Sequence, residues 1–254
     1  MKLEDIIKEN NTQSYIDDEQ IPVLEKIQLT GEEEELLCGY YVDDDRILEG
    51  RLLAHQRESL DAIRFAHSYL DKKYPGREFR FVYFLPANRV NRTAQINFIC
   101  GDENDVYELY VDMKDEDYKA RDTYYGHLIR DSYDEEICRI VKDALGITCL
   151  SYTIFREPKG EEASADITVE KMLKIKDHFF RETSLFVNSD EINEDDIKEK
   201  LKDLFQSKDV TGAFGLYFGS ALLSSGRSGE ELYSDISQGK ERNVGKIYFN
   251  CSKD

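Results

Sequence analysis

Two stretches carry side chains able to hold an anion. Pro86-Ala-Asn-Arg-Val-Asn-Arg-Thr93 sets Arg89 and Arg92 beside Asn88 and Asn91, with Arg77 and Arg80 shortly before. A guanidinium gives a carboxylate or phosphate two parallel hydrogen bonds, and a polar loop on a rigid sheet is a usual place for recognition. Gly219 to Gly229 reads GSALLSSGRSG, and Ser225, Gly226, Arg227 and Ser228 stand just before an expected helix over Glu230 to Ile236. Glycines, hydroxyls and one arginine at a helix N-terminus suit an anion. Neither stretch matches G-x-x-x-x-G-K-[ST] or G-x-G-x-x-G, so no nucleotide cofactor is expected.

Other chemistry is thinner. His55, His67, His127 and His178 have no second histidine within three to five residues and no cysteine at ligand spacing, so no metal site is expected. His67 falls on an apolar helical stripe and reads as a hydrogen-bonded core histidine. A cysteine and a histidine could still meet in space, with Cys38 or Cys100 against His55 or His127 as the pairs. No G-x-S-x-G marks a serine nucleophile. With 53 carboxylates in the chain, no acidic pair can be singled out as acid and base. Cys38, Cys100, Cys138, Cys149 and Cys251 are odd in number and widely spaced, which fits reduced thiols in a cytoplasmic protein better than a disulfide frame.

The charge is the strongest compositional signal. The chain of 254 residues carries a net charge of −19, with −11 in residues 1–50 and +5 in residues 51–100. Such a chain is repelled by nucleic acid and anionic lipid and attracted to a basic protein. No run of about 18 apolar residues is present, so no membrane span is expected. Two functional classes follow. One is a non-catalytic, immunity-like protein that binds a basic partner. The other is an enzyme or sensor for a small anion, using the arginine hairpin or the 219–229 loop.

The elements that would position these groups centre on residues 79–113. Phe79, Phe81, Tyr83 and Leu85, then Ile96, Phe98 and Cys100, then Tyr107, Leu109, Val111 and Met113 alternate with their neighbours. Such period-two runs make strands with one core face each. Short turn-forming breaks at Pro86 and Gly101 make them an antiparallel meander. A helix precedes it over about Leu53 to Lys73, stopped by Pro75-Gly76. A second helix follows over Asp134 to Leu145, ended by Gly146. Earlier, a helix is expected over residues 2–10 and weak strands over Val23 to Leu29 and Leu36 to Val42, with Glu32 to Glu35 in a turn between them. Asp115 to Ala120 reads as a helix start.

Beyond residue 146, strands at Ile147 to Phe155, Ser184 to Val187, Gly212 to Phe218 and Val244 to Asn250 alternate with helices. The helices are Val169 to Arg181, capped by Thr168, and Glu194 to Gln206, capped by Asn193. The fold class is α+β: a helix on a three-stranded meander followed by a helix, then an α/β half, with a soft boundary near residue 150. The order helix, three strands, helix, with KKYPG before the first strand and Asp122-Thr-Tyr-Tyr125 after the last, resembles cystatin-like α+β modules. The resemblance implies a helix lying across a curved sheet and implies no activity.

Overall fold

A computed structural model describes residues 26–42, 45–88, 90–101, 105–113, 118–156, 165–175, 181–220, 222–241 and 243–251. The expected helix over residues 2–10, residues 23–25 of the strand expected at 23–29, and the histidine at 178 lie outside them, while residues 26–29 form no strand.

The alternating runs become β1 (Phe79–Leu85), β2 (Thr93–Cys100) and β3 (Tyr107–Asp112), joined by a short β4 (Lys119–Asp122) in one antiparallel sheet of order β1-β2-β3-β4. In β2 every second side chain is buried, from Ala94 to Cys100. In β1 the register shifts between Phe81 and Tyr83. The bulge breaks the alternation, so Phe84 points inward while Tyr83 and Leu85 are exposed. Helix α1 spans Gly31–Tyr41, α2 is the short turn Asp45–Leu48, and α3 runs Ala54–Lys73. Leu60, Ile63, Ala66 and Leu70 of α3 share a core with Phe81, Phe98 and Leu109.

Helix α1 corrects the expected strand at Leu36–Val42 and the expected turn at Glu32–Glu35. Its start is fixed by a reciprocal cap. The Thr30 hydroxyl accepts the Glu33 N–H at 3.2 Å, and the Glu33 carboxylate accepts the Thr30 N–H at 2.8 Å. Two glutamates then find distant partners. Glu33 accepts from Arg64 Nε at 2.7 Å, and Glu32 contacts His67 Nε2 at 2.6 Å and accepts the Phe81 N–H at 2.8 Å. Burial works to raise the Glu33 carboxyl, but Arg64 and the Thr30 N–H outweigh it and hold it below the usual range. The four acidic residues are therefore a helix N-terminus tied to α3 and β1.

Asp122 closes this first core. Its buried carboxylate accepts from Tyr69 Oη at 3.0 Å, Lys73 Nζ at 2.8 Å, Tyr74 Oη at 2.8 Å and the Tyr124 N–H at 2.9 Å. Of Asp115 to Ala120, expected to open a helix, residues 115–117 lie outside the described residues, and Lys119 and Ala120 instead pair with β3.

The next helix, α4, spans Tyr124–Leu145 and begins ten residues earlier than its apolar stripe from Asp134 suggests. Tyr124 belongs to the first core and Tyr125 to the second, so the change of core falls at the start of this helix. Beyond it come β5 (Leu150–Phe155), α5 (Val169–Lys174), β6 (Arg181–Asn188), α6 (Ile197–Ser207), β7 (Gly212–Gly219), α7 (Gly229–Ser237) and β8 (Gly245–Cys251). The second sheet has the order β5-β6-β7-β8. Only β6 and β7 run parallel, with α6 as their crossover, whereas β5 and β8 are antiparallel additions.

Thr168 caps α5 as expected, but that helix ends at Lys174 and residue 181 already starts β6. Asn193 forms the turn before α6, its Oδ1 accepting the Asp195 N–H, and the helix itself starts at Ile197. Arg181 has no exposed surface. Its guanidinium donates to the carbonyls of Met172, Leu173, Ile175 and Thr211 and to the Thr211 hydroxyl. A cation thus sits on the C-terminal carbonyls of α5, where the helix dipole favours it.

Candidate functional site

The hairpin between β1 and β2 uses its asparagines on itself. Asn88 Oδ1 accepts the N–H groups of Val90 and Asn91 at 2.9 and 2.8 Å, and Asn91 Oδ1 accepts that of Thr93 at 3.1 Å. These are side-chain-built turns that fix the loop. Arg89 lies outside the described residues. Arg92 is exposed and lines a cleft of about 410 Å³ with His55, Glu58, Asn88, Met113 and Tyr118. Folding therefore sets Arg92 beside the first turn of α3, which the sequence order does not reveal.

The 219–229 loop is committed to internal contacts. Arg227 donates to Asp235 at 3.0 Å and to Glu241 at 2.5 Å, and its Nε to Ser225 Oγ at 3.0 Å. The Glu241 carboxylate, working against burial, raises the guanidinium pKa further. Gly226 takes the left-handed conformation, φ 70°, and Ser228 caps α7 through its hydroxyl, with Glu231 returning to the Ser228 N–H. The four residues hold the entry to α7.

That helix entry forms one wall of a larger cleft, of about 570 Å³, between α4, β5 and the start of α7. The approach of α7 to β5 requires glycine at 229, where a Cβ would run into the Ser151 carbonyl oxygen. Exposed Asp131, Glu135 and Glu230 stand on the rim, and Arg130, Asp134, Cys138, Cys149, Ser151 and Tyr152 also line the cleft. Arg130 lies 5.1 Å from the centre of the Tyr152 ring, and its Nε is buried with no hydrogen-bond partner among the described residues. Tyr152 also leans on Tyr233, and its hydroxyl donates to Glu230 at 3.4 Å.

Deeper in, Asp134 accepts the Thr153 hydroxyl at 2.5 Å and the Thr153 N–H at 3.1 Å. Its burial still lifts the carboxyl above the usual range. Cys138 is half-buried on the α4 side of the cleft, and Cys149 is buried directly before β5. All described cysteines are free thiols.

The remaining candidates are structural. His67 stacks on Phe81 at 3.9 Å between ring centres and pairs with Glu32. Cys100 accepts from the Tyr124 hydroxyl at 3.1 Å, and His127 stacks on Tyr124. Among the described residues no three His, Cys, Asp or Glu side chains gather as a metal-binding group. Also among them, no helix is long and apolar enough to cross a membrane.

No family model matches the chain, and no curated protein or solved structure is similar to it. The cleft must therefore be read from its own chemistry. Of its lining only Ser228 stood out as a site candidate in the sequence, because no motif joins the others. Cys138, on a helix, and Cys149, beside a strand, line one cleft only because the chain turns back at Gly146, whose φ is 72°.

Proposed function

We propose that this chain is a non-catalytic binding protein that receives a basic segment of a partner protein in the cleft between α4, β5 and α7. One observation carries the reading: three exposed carboxylates, Asp131, Glu135 and Glu230, rim a 570 Å³ cleft that holds a single arginine. The half-buried Tyr152 beside them offers an aromatic wall for an arginine or lysine stem. The net charge of −19 steers a basic partner toward the molecule and repels nucleic acid. An immunity-like role in the cytoplasm, neutralising a basic protein, fits that chemistry.

Calorimetric titration with an arginine-rich peptide, beside a glutamate-rich control, tests it. The basic peptide binds at low salt, and binding is lost at about 0.5 M salt, where screening reaches only a few Å. Joint replacement Glu135→Lys and Glu230→Lys weakens it at least about tenfold, roughly 1.4 kcal/mol. Absence of binding, or binding indifferent to the double replacement, refutes the reading.

Arg92 and His55 on one cleft support a second reading, a site for a small anion. A phosphate or carboxylate ligand at 100 times its Kd would add about 2.7 kcal/mol of stability, and Arg92→Ala would abolish that gain.

A further inference from the structure

A basic segment by itself leaves one group of the larger cleft unanswered. Arg130, on α4, shares the cleft with the three rim carboxylates but forms no ion pair or hydrogen bond among the described residues. Its Nε is buried, and what holds the guanidinium is the Tyr152 ring, 5.1 Å from its centre. A buried donor without a partner is costly, and an arginine met only by arginines and lysines is repelled. Both costs disappear when the arriving chain brings a carboxylate. We propose that the basic segment enters the cleft by its C-terminal end, with its free α-carboxylate on Arg130 and the cationic side chain of its last residue on Glu230. This inference rests on the reading of the cleft as a site for a basic protein and names the part of that protein it takes.

One tyrosine brings the two charges together. Tyr152 carries Arg130 against its ring and holds the Glu230 carboxylate at its hydroxyl, 3.4 Å away. Tyr152 is itself braced by Tyr233, with 5.3 Å between ring centres. Opposite charges thus stand at one side chain without pairing with each other. A ligand with a carboxylate and a cation a few bonds apart answers both, whereas a uniformly basic stretch answers only the acidic half.

Helix α4 supplies the rest of the layout. Arg130 and Asp134 are four residues apart and share one face, with Asp131 and Glu135 in the adjoining row. Asp134 does not answer the arginine, because its carboxylate accepts the Thr153 N–H and hydroxyl instead. The guanidinium is left for a carboxylate from outside, which it grips with two parallel hydrogen bonds. A chain end suits this better than an internal acidic side chain. A segment rich in arginine and lysine has few aspartates or glutamates, but every unmodified chain ends in a carboxylate. The cleft, of about 570 Å³, has the size that takes a small ligand or a few residues rather than a folded domain.

The test titrates the full chain by calorimetry at low salt with one arginine-rich peptide that ends in arginine, made with a free C-terminal carboxylate and again with a C-terminal amide. The free acid binds at least about tenfold more tightly, although amidation makes the peptide more basic by one charge. Arg130→Gln removes that preference, weakening the free acid and leaving the amide unchanged or tighter. An amide that binds wild type as tightly as the free acid, or more tightly, overturns the chain-end inference and leaves the basic-partner reading standing. A preference for the free acid that survives Arg130→Gln also overturns it, because the carboxylate then sits elsewhere. If neither peptide binds, both readings fall. The two peptides are compared on wild type first, so a poorly folded variant cannot rescue the proposal.

Discussion

Asp122→Asn is the most informative perturbation of the scaffold, because it preserves shape and removes one charge. The carboxylate accepts four donors, Tyr69 Oη, Lys73 Nζ, Tyr74 Oη and the Tyr124 N–H. An asparagine can turn its carbonyl to only one pair of them, and its amide N–H groups then face the other pair. If the carbonyl keeps Tyr74 and Tyr124, the Lys73 ammonium is left against an amide with its side chain only 9% exposed. Removing one partner of a buried ion pair costs about 3–5 kcal/mol, and each neutral hydrogen bond lost adds about 0.5–1.5 kcal/mol at most.

We expect a loss of about 4 kcal/mol, which for a chain of this size lowers Tm by roughly 10 °C. The chain has no tryptophan and 16 tyrosines, so urea unfolding is followed by circular dichroism and tyrosine fluorescence. Adding Lys73→Met removes the ammonium that has lost its carboxylate and recovers more than about 1 kcal/mol, a coupling that a double-mutant cycle reads directly. A single-variant loss below about 1 kcal/mol, or additive single and double effects, would refute the view that Asp122 is the hub joining α3 to the start of α4.

Arg181→Met keeps the aliphatic stem but strips donors from the carbonyls at the end of α5 and at Thr211; a loss of about 3 kcal/mol in urea melts is expected, and a neutral result would mean that relieving a buried charge offsets it. Gly229→Ala drives a Cβ into the Ser151 carbonyl and should cost about 1–3 kcal/mol while moving α7 off β5, visible as faster hydrogen exchange in residues 150–152. Burial, reinforced by Asp122, raises the Tyr74 phenol above its ordinary value. The unfolded chain therefore loses that proton first, so the stability is fully present below about pH 10 and is lost as pH rises from there. The urea midpoint should fall above that pH, and Tyr74→Phe should flatten the slope.

Strand alternation was legible wherever one face is buried and no bulge intervenes. β2 follows its sequence pattern residue by residue, and β1 does so until the register shift after Phe81. Helix α3 was legible from its apolar stripe. Helix α1 was misread because four consecutive glutamates repel one another in isolation. In the fold, Arg64, His67 and the Phe81 N–H offset that repulsion from elements far along the chain. Thr30-x-x-Glu33 was nevertheless a capping signal in plain sight.

The first turns of α4 escaped because Tyr124, Tyr125 and Tyr133 have weak helix propensity and are held by burial in two cores. Of the candidate site, Arg92 was placed on a cleft, while Asn88, Asn91, Ser225, Gly226, Arg227 and Ser228 proved to build their own loops. The two cysteines of the cleft and its carboxylate rim could not be read in advance. They depend on how α4 folds back over β5, a long-range contact with no local sequence signature.

Hydrogen–deuterium exchange of the chain with and without an arginine-rich peptide at low salt tests the cleft assignment most directly. The account predicts slowed exchange confined to residues 130–138, 149–152 and 228–230. Protection around residues 87–92 and 55–58 instead, or none anywhere at a saturating peptide concentration, would contradict it.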